Sequence, residues 1–411
     1  MGSASGAAKV AVVRLTTSRM PQAKETSSTT IAASRVATLT EASGALPVNS
    51  AASFLHHLCL DRADRWYPLL AVHYLTYACR FRCPYCSNGE GRPYPTMPSP
   101  ALPGSRVLEL LRIIRSHSDH LVLTGGEPLE HPDVAEVLEG LKPLKFRGVI
   151  LTTNGQGLEP VLPAVARSVR YLVCSLQTLD SRKGDLGYGS VPGTHERILE
   201  NIDRAARWPG RRFEIIISSV VTPGRIAELY GVYRYAQERG FRLAACPQLV
   251  GVKAHADLAR SGEYRAFFNF LIAEKKRGAR IQGTVDYLEH LRDLRKFSCR
   301  PFALLVVDPT GQVFYPCLEL GRFAGNLFEE PDLHRLRLRG AAKHGPQPDC
   351  DTRCHSACAL GFSRLLANPL SGLHEAVCWG RGWWGGLSRP KPGPRAPEGR
   401  LASTAPLSRA L

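Results

Sequence analysis

Cysteine is the residue whose type and spacing offer most chemistry here, with twelve copies unevenly spread over 411 residues. Cys79-Arg-Phe-Arg-Cys83-Pro-Tyr-Cys86 places three thiols in eight residues, and Cys350, Cys354 and Cys358 place three more in nine. Cys299, Cys317 and Cys378 surround the second group, while Cys59, Cys174 and Cys246 stand alone and read as small buried apolar residues. A chain that is 44% apolar has core enough to fold without disulfide staples, and no secretory signal is evident: Val10–Leu15 is too short and is broken by Arg14. Clustered thiols then point to metal. Zinc wants four ligands, yet the first group has no local fourth: His73 lies in a strand-like run and the next cysteine is 88 residues on. Three thiolates suit a [4Fe–4S] cluster with one iron left open to a non-protein ligand.

Those thiols need a scaffold. From Leu69 onward, strand-like runs at Ala71–Tyr77, His120–Thr124, Gly148–Thr152, Tyr171–Leu176, Phe213–Val221 and Arg242–Pro247 alternate with helix-like stretches. The helices are expected at Ser105–Arg115, Pro132–Leu141, Leu158–Val165, Thr194–Arg207 and Arg225–Glu238. Six alternations predict an α/β fold with a parallel sheet and right-handed crossovers, a partial (β/α)6 TIM-like barrel. Two more helices, Glu263–Arg277 and Val285–Phe297, lead to a hairpin (Leu304–Asp308, a Pro309-Thr310-Gly311 turn, Val313–Tyr315) within a small Cys-rich β-hairpin/helix extension. The expected organisation is a flexible leader over 1–66, a core over 67–250, a helical connection over 251–298, the extension over 299–380 and a disordered basic tail over 381–411.

The first cysteine group follows the first strand, where βα architectures gather reactive groups. Leu123-Thr-Gly125-Gly126-Glu127-Pro128 follows the second strand, Leu151-Thr-Thr-Asn154-Gly155 the third, and Ser175-Leu-Gln177 ends the fourth. Taken singly, a GGEP or an Asn-Gly is a turn and an aromatic is core. In this order, one motif per strand end, they resemble the radical S-adenosylmethionine (radical SAM) superfamily, with its CxxxCxφC signature (φ being Tyr85) and GGEP motif. The resemblance implies that Cys79, Cys83 and Cys86 hold a [4Fe–4S] cluster whose open iron takes the amine and carboxylate of S-adenosylmethionine. It further implies that Gly125 and Gly126 permit close backbone approach, that Glu127 or nearby carbonyls accept from the ammonium, and that Asn154, Ser175 and Gln177 bond the ribose and carboxylate. Tyr85 would contact the adenine. Reductive cleavage to a 5′-deoxyadenosyl radical, followed by hydrogen abstraction from an unactivated C–H bond, is the implied chemistry, and it belongs to the cofactor.

The second group, with Gly311 in the hairpin turn and Gly325-Asn326-Leu327 after it, resembles the SPASM or twitch extension that holds auxiliary iron–sulfur clusters. It departs from the SPASM order: five residues separate Gly311 from Cys317 where four are usual, and the later set reads CxxxCxxxC. One auxiliary [4Fe–4S] cluster is expected, on Cys299, Cys317 and two of Cys350, Cys354 and Cys358, with Cys378 either ligand or packed thiol. Zinc satisfies the same thiolates and remains open at this level.

The net charge of +17 invites a nucleic-acid reading, but residues 1–50 and 381–411 hold surpluses of three and five. The middle is a mildly basic enzyme, and no nucleic-acid partner is expected. No apolar run reaches the ~18 residues of a membrane span, and a cytoplasmic location is expected. The leading function is oxidative modification of a peptide by a radical SAM oxidoreductase supplied by an electron donor such as flavodoxin or ferredoxin. The alternatives are dehydrogenation or related radical tailoring of an aminocyclitol, sugar or lipid and, from another class, a zinc-ribbon nucleic-acid-binding protein. His73, Tyr188, Arg242 and Gln248 are candidate pocket residues, and Asp180 and Asp185 read as capping or solvated.

Overall fold

Apolar runs with no polar alternation demand cover on both faces, and the computed structural model supplies it with a mostly parallel sheet flanked by helices. It describes residues 50–60, 62–98, 100–346 and 354–371, all within one compact unit, Leu46–Leu411. Cys350, Cys378, the expected leader before residue 50 and the expected basic tail lie outside the described residues.

The elements are α1 (Ser50–Cys59), β1 (Leu70–Thr76), α2 (Gly104–Arg115), β2 (His120–Gly125), α3 (Val134–Gly140), β3 (Gly148–Thr153), α4 (Leu162–Ser168) and β4 (Tyr171–Ser175). Then come α5 (Ser181–Tyr188), α6 (Thr194–Ala206), β5 (Glu214–Val221), α7 (Ile226–Glu238) and β6 (Arg242–Pro247). A two-stranded hairpin, β7 (Leu249–Val250) and β8 (Lys253–Ala254), precedes α8 (Ala256–Arg260), α9 (Gly262–Lys276) and α10 (Val285–Asp293). The last elements are β9 (Leu304–Val307), β10 (Gln312–Phe314), β11 (Phe323–Asn326), α11 (Leu333–His344) and α12 (Ala357–Ala367).

The sheet runs β11-β10-β9-β1-β2-β3-β4-β5-β6, with β1 through β6 parallel and in chain order, an open α/β barrel-like wall. Three features differ from expectation. Part of the expected leader is structured: α1 is a helix, and Trp66 is buried with its indole N–H donating to Leu304 O at 3.1 Å. The span between the fourth strand and Thr194 contains α5, framed by Asp180, which accepts from Lys183 N–H at 3.0 Å, and by Gly189 at φ +59°. Finally, the hairpin is not separate from the core, because β9 pairs in parallel with β1, Leu70 opposite Leu304 and His73 opposite Val307. Burial drives that pairing: Leu70, Tyr74, Tyr77, Leu304, Val306 and Phe314 form one apolar cluster, closed by Tyr94, Leu318 and Phe362.

Candidate functional site

The cysteine loop leaves the C-terminal end of β1, and its walls are built before its contents. Gly126 N–H donates to Thr76 O and Glu127 N–H to Ala78 O, both at 2.8 Å, so the second motif lies directly on the chain entering the loop. A Cβ at Gly125 would overlap the Thr76 carbonyl oxygen, and one at Gly126 would lie 2.5 Å from Ala78 O. These glycines therefore have a packing reason for lacking a side chain, in addition to any approach of a ligand. Cys86 N–H donates to Cys83 O at 3.1 Å, closing a tight turn that keeps the three half-buried thiols on one loop. Burial raises all three thiols, Cys79 to about 12 and Cys86 to about 11. An uncomplexed loop thus keeps its protons, and metal must displace them to bind thiolate. The Tyr85 hydroxyl meets the Cys83 sulfur.

Glu127 is the knot of the site. It is 2% exposed; Oε1 accepts from Leu129 N–H at 3.0 Å and the Thr153 hydroxyl at 2.7 Å, and Oε2 from Asn154 N–H at 2.6 Å. Burial pushes its carboxyl up to about 7 against these three donors. The bonds from Thr153 and Asn154 tie the end of β2 to the end of β3. Asn154 behaves oppositely: Oδ1 accepts from Gln156 N–H at 2.9 Å, but Nδ2 is buried with no partner among the described residues. An orphaned donor of that kind costs about 1–3 kcal/mol unless something fills it.

The opposite wall of the loop comes from α5. Phe81 stacks on Tyr188 (4.9 Å between centroids, 9° between planes), and Arg82 N–H donates to Tyr188 O at 2.7 Å. The Tyr188 hydroxyl donates to Gln177 Oε1 at 3.3 Å, so Gln177 holds this clamp, while Ser175 ends β4 half-buried. Of the candidate pocket residues Tyr188 packs against this loop, whereas the supports Phe81 and Thr153 carry no sequence signal; the Asp180…Gly189 frame is the available signal for α5. Asp180 and Asp185 are caps, Asp185 accepting from Gly193 N–H at 2.8 Å and His195 N–H at 2.7 Å.

Other expectations shift. His73 is wholly buried in mid-strand and Arg242 opens β6 at the far end of the sheet, paired with Glu214 at 3.0 Å, so neither lines this mouth. Gln248 follows β6 half-buried. Cys59 ends α1 exposed rather than packed; Cys174 is buried and Cys246 half-buried. Of the second group, Cys299 precedes β9, Cys317 follows β10, Cys354 precedes α12 and Cys358 sits in its first turn. Among the described residues no three Cys, His, Asp or Glu side chains converge as the ligands of a single ion do.

The residues present fit a SAM-binding four-iron cluster: an all-thiolate donor set of three on one loop, and an orphaned Asn154 amide two strands away. Comparison with known proteins agrees. Residues 74–228, from β1 into α7, match the Radical SAM superfamily. Molybdenum cofactor biosynthesis protein 1 of Bos taurus is 37% identical over 134 residues, 32% of this chain and 21% of that protein. The GTP 3′,8-cyclase of Haemophilus ducreyi is 30% identical over 152 residues (36% and 43%), and the AdoMet-dependent heme synthase of Methanosarcina barkeri 28% over 178 (42% and 48%). The chain spans less than half the length of these curated relatives. Streptococcus suis SuiB bound to its precursor peptide SuiA superposes with a TM-score of 0.54 at 20% identity, covering 72% of this chain and 70% of that one, a likeness of fold. The match spans the ends of β1 to β4, where the four motifs lie, so residues 74–228 carry a radical SAM domain.

Proposed function

We propose that the chain uses S-adenosylmethionine and a [4Fe–4S] cluster on Cys79, Cys83 and Cys86 to oxidise a peptide, with an auxiliary [4Fe–4S] cluster drawn from Cys299, Cys317, Cys350, Cys354 and Cys358. The observation that carries the peptide reading is the extent of the likeness to SuiB, a fold solved with its precursor peptide, over 72% of this chain. When bound, the cluster and cofactor supply the reducing electron and the hydrogen-abstracting radical. The chain's own residues hold and orient. Gly126 and Glu127 fix the loop entrance, Tyr188 and Gln177 brace its far side, and the free Asn154 Nδ2 donates to an oxygen of the bound cofactor. A low-potential flavodoxin or ferredoxin is the electron source in this reading.

Radical tailoring of a small molecule is the second reading, favoured by the sequence relatives, whose names include GTP 3′,8-cyclase. Among the described residues no helix is long and apolar enough to cross a membrane. Anaerobic reconstitution followed by iron and sulfide counting tests the cluster assignment. About eight irons in the wild type and about four in the Cys79→Ala/Cys83→Ala/Cys86→Ala variant are expected, and zinc in place of iron would overturn it. Cleavage of S-adenosylmethionine coupled to mass loss from a candidate peptide, against a nucleotide control, decides the substrate class.

A further inference from the structure

Two backbone segments that carry cysteines meet at one glycine, and a hairpin bonded to a third reaches the same residue. Asn88, two residues past Cys86, is 6% exposed, and its Oδ1 accepts from Glu90 N–H at 3.1 Å and Arg92 N–H at 2.8 Å. Asn88 N–H donates to Arg92 O and Gly91 N–H to Asn88 O, both at 2.9 Å, so residues 88–92 form a closed, stiff turn. Gly89 in that turn presses on the backbone just after Cys317. A Cβ at residue 89 would lie 2.5 Å from the Glu319 carbonyl carbon and 2.6 Å from its Cα, where carbon atoms pack at about 3.5–4.0 Å. From the other side, the tip of the β7–β8 hairpin reaches the same residue: a Cβ at Gly251, whose φ is +61°, would stand 3.1 Å from Gly89 O. That hairpin is in turn bound to the segment after Cys354, since His355 N–H donates to Val252 O at 2.9 Å and Ala254 N–H to His355 Nδ1 at 2.8 Å.

We propose that Gly89 is a positioning residue that registers the loop of Cys79, Cys83 and Cys86 against the segments bearing Cys317 and Cys354, so that the two cysteine regions keep a fixed separation. This rests on the reading that both regions hold clusters. Because the 88–92 turn is closed on itself, a side chain at 89 cannot be absorbed locally; it must move either Cys86 or Cys317 by about 1 Å.

The test uses the full chain and two variants. Gly89→Ala introduces the overlap, whereas Gly91→Ala, two residues on at φ +80° and with nothing within 4 Å of its Cβ, strains the same turn without pushing on Glu319. In the unreconstituted chain, Gly89→Ala should speed amide exchange roughly tenfold or more in residues 318–322 and 249–254 and leave β2–β5 unchanged; Gly91→Ala should leave the first two segments as in the wild type. In the reconstituted protein, Gly89→Ala should keep its iron count yet show an altered electron paramagnetic resonance spectrum of the reduced cluster, with a weaker change on adding S-adenosylmethionine. Exchange and spectra equal to the wild type overturn the proposal, as does equal loosening of all strands or an equal response to Gly91→Ala. The exchange arm needs no metal, so a wild type that takes up no iron would overturn the proposed function while the contact is judged separately.

Discussion

Replacing Glu127 by Gln should change how stability depends on pH more than stability itself. The folded chain holds this carboxyl at about 7 against an ordinary 4.5, with burial as the largest cause, so it binds the proton more tightly than the unfolded chain does. Stability from this group is then complete below about pH 4.5 and is lost as pH rises to about 7, a change of about 3 kcal/mol. Gln keeps an oxygen for Leu129 N–H and the Thr153 hydroxyl but turns its amide hydrogens on Asn154 N–H, a constant cost of about 1–3 kcal/mol. The wild type should therefore exceed Glu127→Gln most at pH 4.5, and the gap should shrink by about 3 kcal/mol by pH 8. For a folded unit of about 300 residues that is about 5 °C in melting temperature. Urea and thermal unfolding of both proteins, metal-free and reduced, measure it, since every other titrating group is common to the pair. Parallel stability curves between pH 4.5 and 8 would refute the reasoning and imply that Glu127 stays ionised, its three donors outweighing burial.

Two further outcomes rest on other parts of the fold. Tyr188→Phe keeps the stack on Phe81 and loses one hydrogen bond to Gln177, so it should cost about 1 kcal/mol, whereas Tyr188→Ala should cost about 3–5 kcal/mol and lower iron uptake; equal iron retention in both would count against the clamp. Asp119, 1% exposed, is raised by burial but held down to about 2 by hydrogen bonds from His120 and Ser50. Its contribution, about 2 kcal/mol, is present above about pH 3.8 and lost as pH falls through 2, so the acid limb of the unfolding curve should be shallower by about 2 kcal/mol in Asp119→Asn.

The six parallel strands are legible because each after the first is a short, nearly continuous apolar run between turn signals, and the motif order at their ends carries the family resemblance. What escaped was non-local or local-polar. α5 carries few apolar residues, so its pattern is weak although its caps are good. The pairing of β9 with β1 joins residues more than 200 apart and leaves no mark in either run. The bonds from Thr153 and Asn154 to Glu127 cross from β2 to β3 and leave no mark in the sequence. Cys59 read as packed because lone cysteines usually are, but it ends a helix at the surface.

The ladder between β1 and β9 also has a consequence for how the protein is made. Of the described strands β1 leaves the ribosome first, yet its second hydrogen-bonding edge waits for Leu304–Val307, more than 200 residues later. Throughout that interval the strand that ends in the cysteine loop is an open template for stray pairing. Iron delivered to a nascent chain would meet a loop on an unfinished edge, which makes late metallation, after β9 has emerged and paired, the safer order of assembly.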